Sequence, residues 1–264
     1  MVLPRYAWQR LYEQRLVLLL TVVSFVWPLL CAGFIYLTNH AELLQGLDAE
    51  FRSFIQVNGT FFSIFMYVQA GFAVFIAALA GPGLIAPDLA NNALPLYFSR
   101  PLTRWSYALA RLLVIVGMLS VVTWIPGLLL FGLQVGLAGG WWFLANWTLG
   151  AGVMVGFLLW LLVLSLVAMA SSAYVKWRVV AGAVSLAFFF ILTGVSEMID
   201  NVFRVTWGHI LDPAWAVNRV WCALLGVDPP EGPGAGASLL ALSVFVLLLV
   251  VVIERKLRPV EVVR

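Results

Sequence analysis

The side chains able to do chemistry are few, and their placement excludes most reactions. The chain has two histidines, His40 and His209, each near the outer end of an apolar run. No Cys/His cluster has metal-ligand spacing, so a metal would need these two remote histidines to converge. A serine–histidine hydrolase would need its base at depth beside a serine, which neither histidine supplies. Glu197 sits at the outer end of another apolar run beside Asp200, where a water-exposed helix cap and a substrate contact both fit. No Gly-x-x-x-x-Gly-Lys-Ser/Thr phosphate loop occurs, so any nucleotide must be bound by another chain. The expectation is a protein that is not catalytic by itself, with no catalytic residue, metal or cofactor of its own. Cys31 falls inside a membrane helix and Cys222 in an external segment, so no disulfide is expected.

Charge is concentrated instead in residues 81–111, which carry Asp88, Arg100, Arg104 and Arg111 among prolines. Gly81-Pro82-Gly83 stops the preceding helix. Pro87 can start a short helix, and Asp88 in its first turn meets the positive end of the helix dipole. Leu89, Ala93 and Leu96 then share one side, and Pro95 limits the helix to about two turns. The product is an amphipathic rod lying along the membrane. Fixed between two spans, it could transmit a lateral push into both. A solvated loop whose arginines meet lipid headgroups fits the spacing equally well.

The elements that must hold this segment follow from composition. Of 264 residues, 63% are hydrophobic and 10% charged, with a mean hydropathy of +1.02. A soluble domain would carry about 25% charge. The fold class is therefore all-α and polytopic: a single transmembrane domain over 1–264, with spans at about 16–38, 58–80, 104–135, 143–171, 179–198 and 237–253. The 64 uncharged residues between Arg111 and Lys176 are enough for two spans. A kink is expected at Pro28. Gly136-Leu-Ala-Gly-Gly140 supplies a turn, and Trp141, Trp142 and Trp147 an interfacial belt. Gly132, Gly136 and Gly140, and Gly152 with Gly156, have the spacing that allows close helix contact in lipid. Residues 1–15 read either as an interfacial helix or as the basic flank of the first span. The first apolar run is too long for a cleaved signal peptide.

Orientation follows from charge. With both termini inside, twelve of the 15 Lys and Arg lie on inner segments, and only Arg52, Arg204 and Arg219 lie outside. Eight of the 12 acids are external. The Ala/Leu/Val/Gly bias points to a bacterial inner membrane, and nothing points to nucleic acid.

The 81–111 segment resembles the first cytoplasmic loop of ABC-2 type permeases, the membrane subunits of ATP-binding cassette exporters. Their pattern runs roughly Ile-x-x-Glu-x-x-x-Gly-Thr-Leu and ends in Pro-Leu-Ser/Thr-Arg. Ile85, Asp88, Leu94, Pro101, Leu102, Thr103 and Arg104 stand at corresponding places, with Asp88 for the glutamate and Asn92-Ala93 for Gly-Thr. The resemblance implies a coupling helix at 87–97 seated in a cleft of a cytoplasmic ATPase subunit. Its interface would include Pro87, Asp88, Leu89, Asn91, Asn92, Leu94, Tyr97, Arg100 and Arg104, with Lys176 and Arg178 as a smaller second contact. ATP and magnesium would be bound by that partner, and a second permease copy or a related permease would complete the assembly. The loop 199–236 would contain short re-entrant helices narrowing the external exit, with Glu197, Trp207, Trp215 and Trp221 as gate candidates. A lipid-like, amphipathic or drug-like cargo suits the apolar, aromatic spans. The competing reading is a membrane scaffold or assembly factor that docks a cytoplasmic partner through the same loop.

Overall fold

The computed structural model describes residues 14–40, 56–83, 104–175 and 177–256; of Arg104 and Trp105 only the backbone is described. The surface helix expected over 1–15 therefore lies almost wholly outside the described residues, as does the expected rod at 87–97. The described residues are helical with no strand. Among the described residues, six units are long and apolar enough to cross a membrane: Arg15–Asn39, Gly59–Ala80, Ser106–Ala138, Gly140–Tyr174, Arg178–Phe203 and Ala235–Lys256. A bilayer leaves no water for backbone groups, so long apolar runs must close their hydrogen bonds within helices.

The first unit is two helices, α1 (Arg15–Ser24) and α2 (Val26–Asn39), broken at Phe25. The break lies three residues before Pro28, as expected for a proline that removes one helical donor. α3 (Gly59–Ala80) begins on Asn58, whose side chain accepts from Phe61 N at 3.1 Å. The third unit is also broken. α4 (Arg104–Val122) and α5 (Trp124–Ala138) meet at Thr123, three residues before Pro126. This second bend adds to the single kink expected from sequence.

Gly139 joins α5 to α6 (Gly140–Tyr174) in one residue, at φ +88°, a region open chiefly to glycine. Because the turn is this short, α6 starts at 140 rather than 143 and takes Trp141, Trp142 and Trp147 into its first turns. Its 35 residues span about 52 Å at 1.5 Å per residue, more than a hydrocarbon core of about 30 Å. α6 is the axis of the bundle and touches α3, α4, α5 and the later helices α7 (Arg178–Phe203), α8 (Pro213–Leu225) and α9 (Ala235–Lys256). α7 runs to Phe203 instead of ending near 198, so Glu197 and Asp200 are helical. The 199–236 stretch is a compact corner: a 3-10 turn at Gly208–Leu211 followed by α8. α8 buries Ala216, Val217, Val220, Trp221 and Leu225 against the bundle.

Lipid tails are as apolar as leucine, so helix association rests on close packing and polar contacts rather than on the hydrophobic effect. Gly152 and Gly156 provide that proximity, Gly152 toward α8 and Gly156 toward both α8 and Met66 of α3. A Cβ on Gly156 would come within 2.7 Å of Trp221, whose indole donates to Gly156 O at 2.8 Å. Gly132, Gly136 and Gly140 have no described heavy atom of another element within 4 Å of a Cβ position, so that stripe makes no helix contact within the described chain.

Candidate functional site

The two ends of the bundle differ in what they hold. At one end α3 runs out toward the charged segment, and its last turn is fastened to the α6–α7 connection. Arg178 Nη2 donates to Leu79 O at 3.2 Å, and Ser172 Oγ donates to Pro82 O at 3.2 Å. The guanidinium lies over Gly83, where a Cβ would sit 3.2 Å from Nε. Two small residues bring the backbones together: a Cβ on Gly81 would fall 2.5 Å from Ala168 Cβ, and one on Gly182 would fall 2.5 Å from Ala78 O. Ser171 and Ser185 share a hydrogen bond of 2.5 Å between α6 and α7. The chain entering residues 84–103 thus leaves from a point tied to three helices.

Of the residues expected to face an ATPase, Pro87, Asp88, Leu89, Asn91, Asn92, Leu94, Tyr97, Arg100 and Lys176 lie outside the described residues. Arg104 opens α4. Arg178 is described, and the hydrogen bond it makes is internal, to the end of α3.

At the other end the four external-gate candidates occupy three different settings. Glu197 and Trp207 are exposed. Trp215 stacks on His209, ring centroids 5.0 Å apart. Trp221 is buried and packs edge-on to Trp160 at 6.3 Å. His209 Nε2 lies 3.3 Å from Asp200 Oδ2, while Asp200 Oδ1 accepts from Gly208 N at 2.6 Å. His40 Nδ1 contacts Tyr36 O at 2.8 Å, so each histidine has a local partner. No group of three metal-ligating side chains occurs among the described residues. Cys31 and Cys222 are free thiols. Burial raises the Cys222 thiol pKa, and the Arg219 charge partly opposes it.

Between these ends lies a cavity of about 360 Å³ bounded by α3, α6, α7 and α8. Tyr67, Phe75, Trp160, Phe189, Phe190 and Trp221 make its wall aromatic, and Thr193 and Asn218 give it polar groups. Tyr67, Phe75 and Phe190 are themselves exposed, so the cavity opens on the bundle's lateral face. Such a space takes a flat or chain-like apolar molecule with one or two hydrogen-bonding groups. It has no acid, base or metal ligand in its wall.

Two buried polar positions with long-range partners are not among the sequence-derived candidates. Asp212 is 4% exposed and holds α8 in place: Oδ1 accepts from Ala214 N and Oδ2 from Thr193 Oγ1, both at 2.8 Å. Its signal is the Asp212-Pro213 pair, an N-cap followed by proline at the first helical position. Gln69 is fully buried midway along α3. A search confined to ionisable groups passes over a neutral amide.

No family model matches the chain, and no curated protein matches it in sequence. The fold defines the class: a helical, multi-pass membrane protein, with six membrane-length apolar helices among the described residues.

Proposed function

We propose that this chain is the permease subunit of an ABC-2 type transporter, forming a substrate path and driven by ATP hydrolysis in a separate subunit. The observation that carries the reading is the junction at the exit of α3. Residues 81–83 are tied by Arg178, Ser172 and a glycine–alanine contact to α6 and α7, so a force on the segment that follows reaches three spans at once. The 87–97 rod is the coupling helix in this reading, with Asp88 central to its contact and Arg100, Arg104 and Lys176 around it. Arg178 belongs to the anchor that receives the push.

The lateral aromatic cavity supports an amphipathic or lipid-like cargo entering from the bilayer. A second copy or a related permease completes the path, and α8 with its tryptophans narrows the external exit as a re-entrant element. The protein sits in a bacterial inner membrane with both termini cytoplasmic.

Purification from the native membrane in mild detergent is the direct test. The chain is expected to bring with it a Walker-motif protein, and the complex to hydrolyse ATP in a vanadate-sensitive manner. Asp88→Lys is expected to weaken that association about tenfold, equivalent to ~1.4 kcal/mol. Undiminished binding by Asp88→Lys removes the coupling role. A complex without a nucleotide-hydrolysing subunit removes the reading altogether.

A further inference from the structure

Two broken helices meet at one side chain. A proline leaves the carbonyl four residues before it without its helical donor. Pro28 does this to Ser24 O, and Pro126 does it to Val122 O. In a bilayer interior neither carbonyl can turn to water. Gln69 Nε2 donates to both, at 3.1 Å to Ser24 O and 2.5 Å to Val122 O. A primary amide has two N–H donors, and each carbonyl takes one.

The bends share further chemistry. In the turn before each, hydroxyls bond back to the helix: Thr21 to Val17 O and Ser24 to Thr21 O in α1, Ser120 to Val116 O and Thr123 to Leu119 O in α4. Such bonds loosen the helical ladder and favour bending. The same stretches hold buried polar atoms without a hydrogen-bond partner among the described residues: Trp27 Nε1, Trp124 Nε1 and Gln69 Oε1. These groups therefore keep unused hydrogen-bonding capacity beside both bends.

We propose that Gln69 joins the two proline bends into one hinge, so that the first and third spans flex together about α3. Releasing or straightening one bend frees one arm of the amide and alters its hold on the other. The hinge stands on the hydrogen bonds alone and holds whether or not the chain is a permease.

The test uses the full chain in lipid nanodiscs, with Cys31 and Cys222 replaced by alanine. Spin labels at Leu113 and Leu129, 64% and 70% exposed, straddle the Thr123 break about 24 Å apart along the helix. Pro28→Ala, a change in another span, is expected to shift the Leu113–Leu129 distance distribution when Gln69 is present. In the Gln69→Leu background the same change is expected to leave it unmoved. A distribution that ignores Pro28→Ala with Gln69 intact overturns the proposal. Melting temperature gives an independent reading should Gln69→Leu express poorly. Pro28→Ala with Pro126→Ala restores both N–H donors, so adding Gln69→Leu to that pair is expected to cost far less than adding it to the native chain. Equal cost in both backgrounds means that Gln69 merely fills space, and also overturns the proposal.

Discussion

Asp212 must offer one oxygen to a backbone amide and a second polar atom to a hydroxyl. It is almost fully buried, and its two oxygens serve two different elements, the first turn of α8 and the Thr193 hydroxyl of α7. Pro213 at the first helical position fixes the backbone that the cap requires. The side chain also sits at the N-terminal end of α8. Asp212→Ala removes an N-cap and strands a part-buried hydroxyl, at a combined cost of about 2–3 kcal/mol. The expected readout is earlier melting together with trypsin cleavage after Arg219, since α8 then leaves the bundle first. Asp212→Asn keeps an oxygen for Ala214 N, and the Thr193 hydroxyl can turn to accept from the new amide. That variant is expected to melt within about 0.5 kcal/mol of the native chain, the range of changes that remove no specific contact. A loss in Asp212→Asn as large as in Asp212→Ala would mean that the charge, rather than the capping geometry, holds α8.

At the scale of elements, the glycines of the bundle divide by what faces them. Gly156 lies under Trp221 and Met66, with a Cβ position 2.7 Å from one and 2.9 Å from the other. Met66 meets it with the end of a flexible side chain, but Trp221 cannot yield cheaply, because it is pinned by its bond to Gly156 O and packed on Phe157 and Trp160. Gly156→Ala is expected to destabilise by about 1–3 kcal/mol through overpacking and to raise hydrogen exchange at the amides of 216–225. Gly132→Ala meets open space and is expected to leave both readouts unchanged. Sequence spacing cannot separate these two cases, since both belong to glycine repeats at the same interval. The spans are legible because each is an apolar run that lipid forces into a helix. The bend at Phe25 is legible from Pro28, and the one at Thr123 follows from Pro126 by the same rule. α8 is harder to read: its 13 residues include Asn218 and Arg219 between apolar positions, which looks like a loop until α6 is known to accept its apolar face. The amide of Gln69 becomes meaningful only when two prolines from distant spans are found on either side of it. The anchor at Arg178 is hidden in a similar way, because Leu79 and Gly83 become its neighbours only through the fold.

For the whole molecule the decisive quantity is which end faces the cell interior. The end carrying the α3 exit also gathers the start of α4, the α6–α7 connection and the end of α9. There Tyr174 Oη donates to Val252 O at 3.3 Å, and Lys256 Nζ lies 5.3 Å from the Tyr174 ring. The opposite end holds the link from Asn39 Nδ2 to Gln134 Oε1 at 2.8 Å and the whole 204–234 corner. In the sequence, twelve of the 15 basic residues fall on the segments expected to face inward, an asymmetry that would keep the α3 exit on the cytoplasmic side. Trp177 and Trp207 report on the two ends, being 76% and 63% exposed. In intact cells carrying the chain without its native cysteines, a membrane-impermeant maleimide is expected to label Trp207→Cys at once and Trp177→Cys only after permeabilisation. Labelling of both from the same side would overturn the six-span arrangement. A reversed pattern would keep the spans and turn the anchored end outward, away from any ATP-hydrolysing partner. The transporter reading would then fall while the hinge at Gln69 stood, because that hinge depends on neighbouring helices and not on which leaflet they enter.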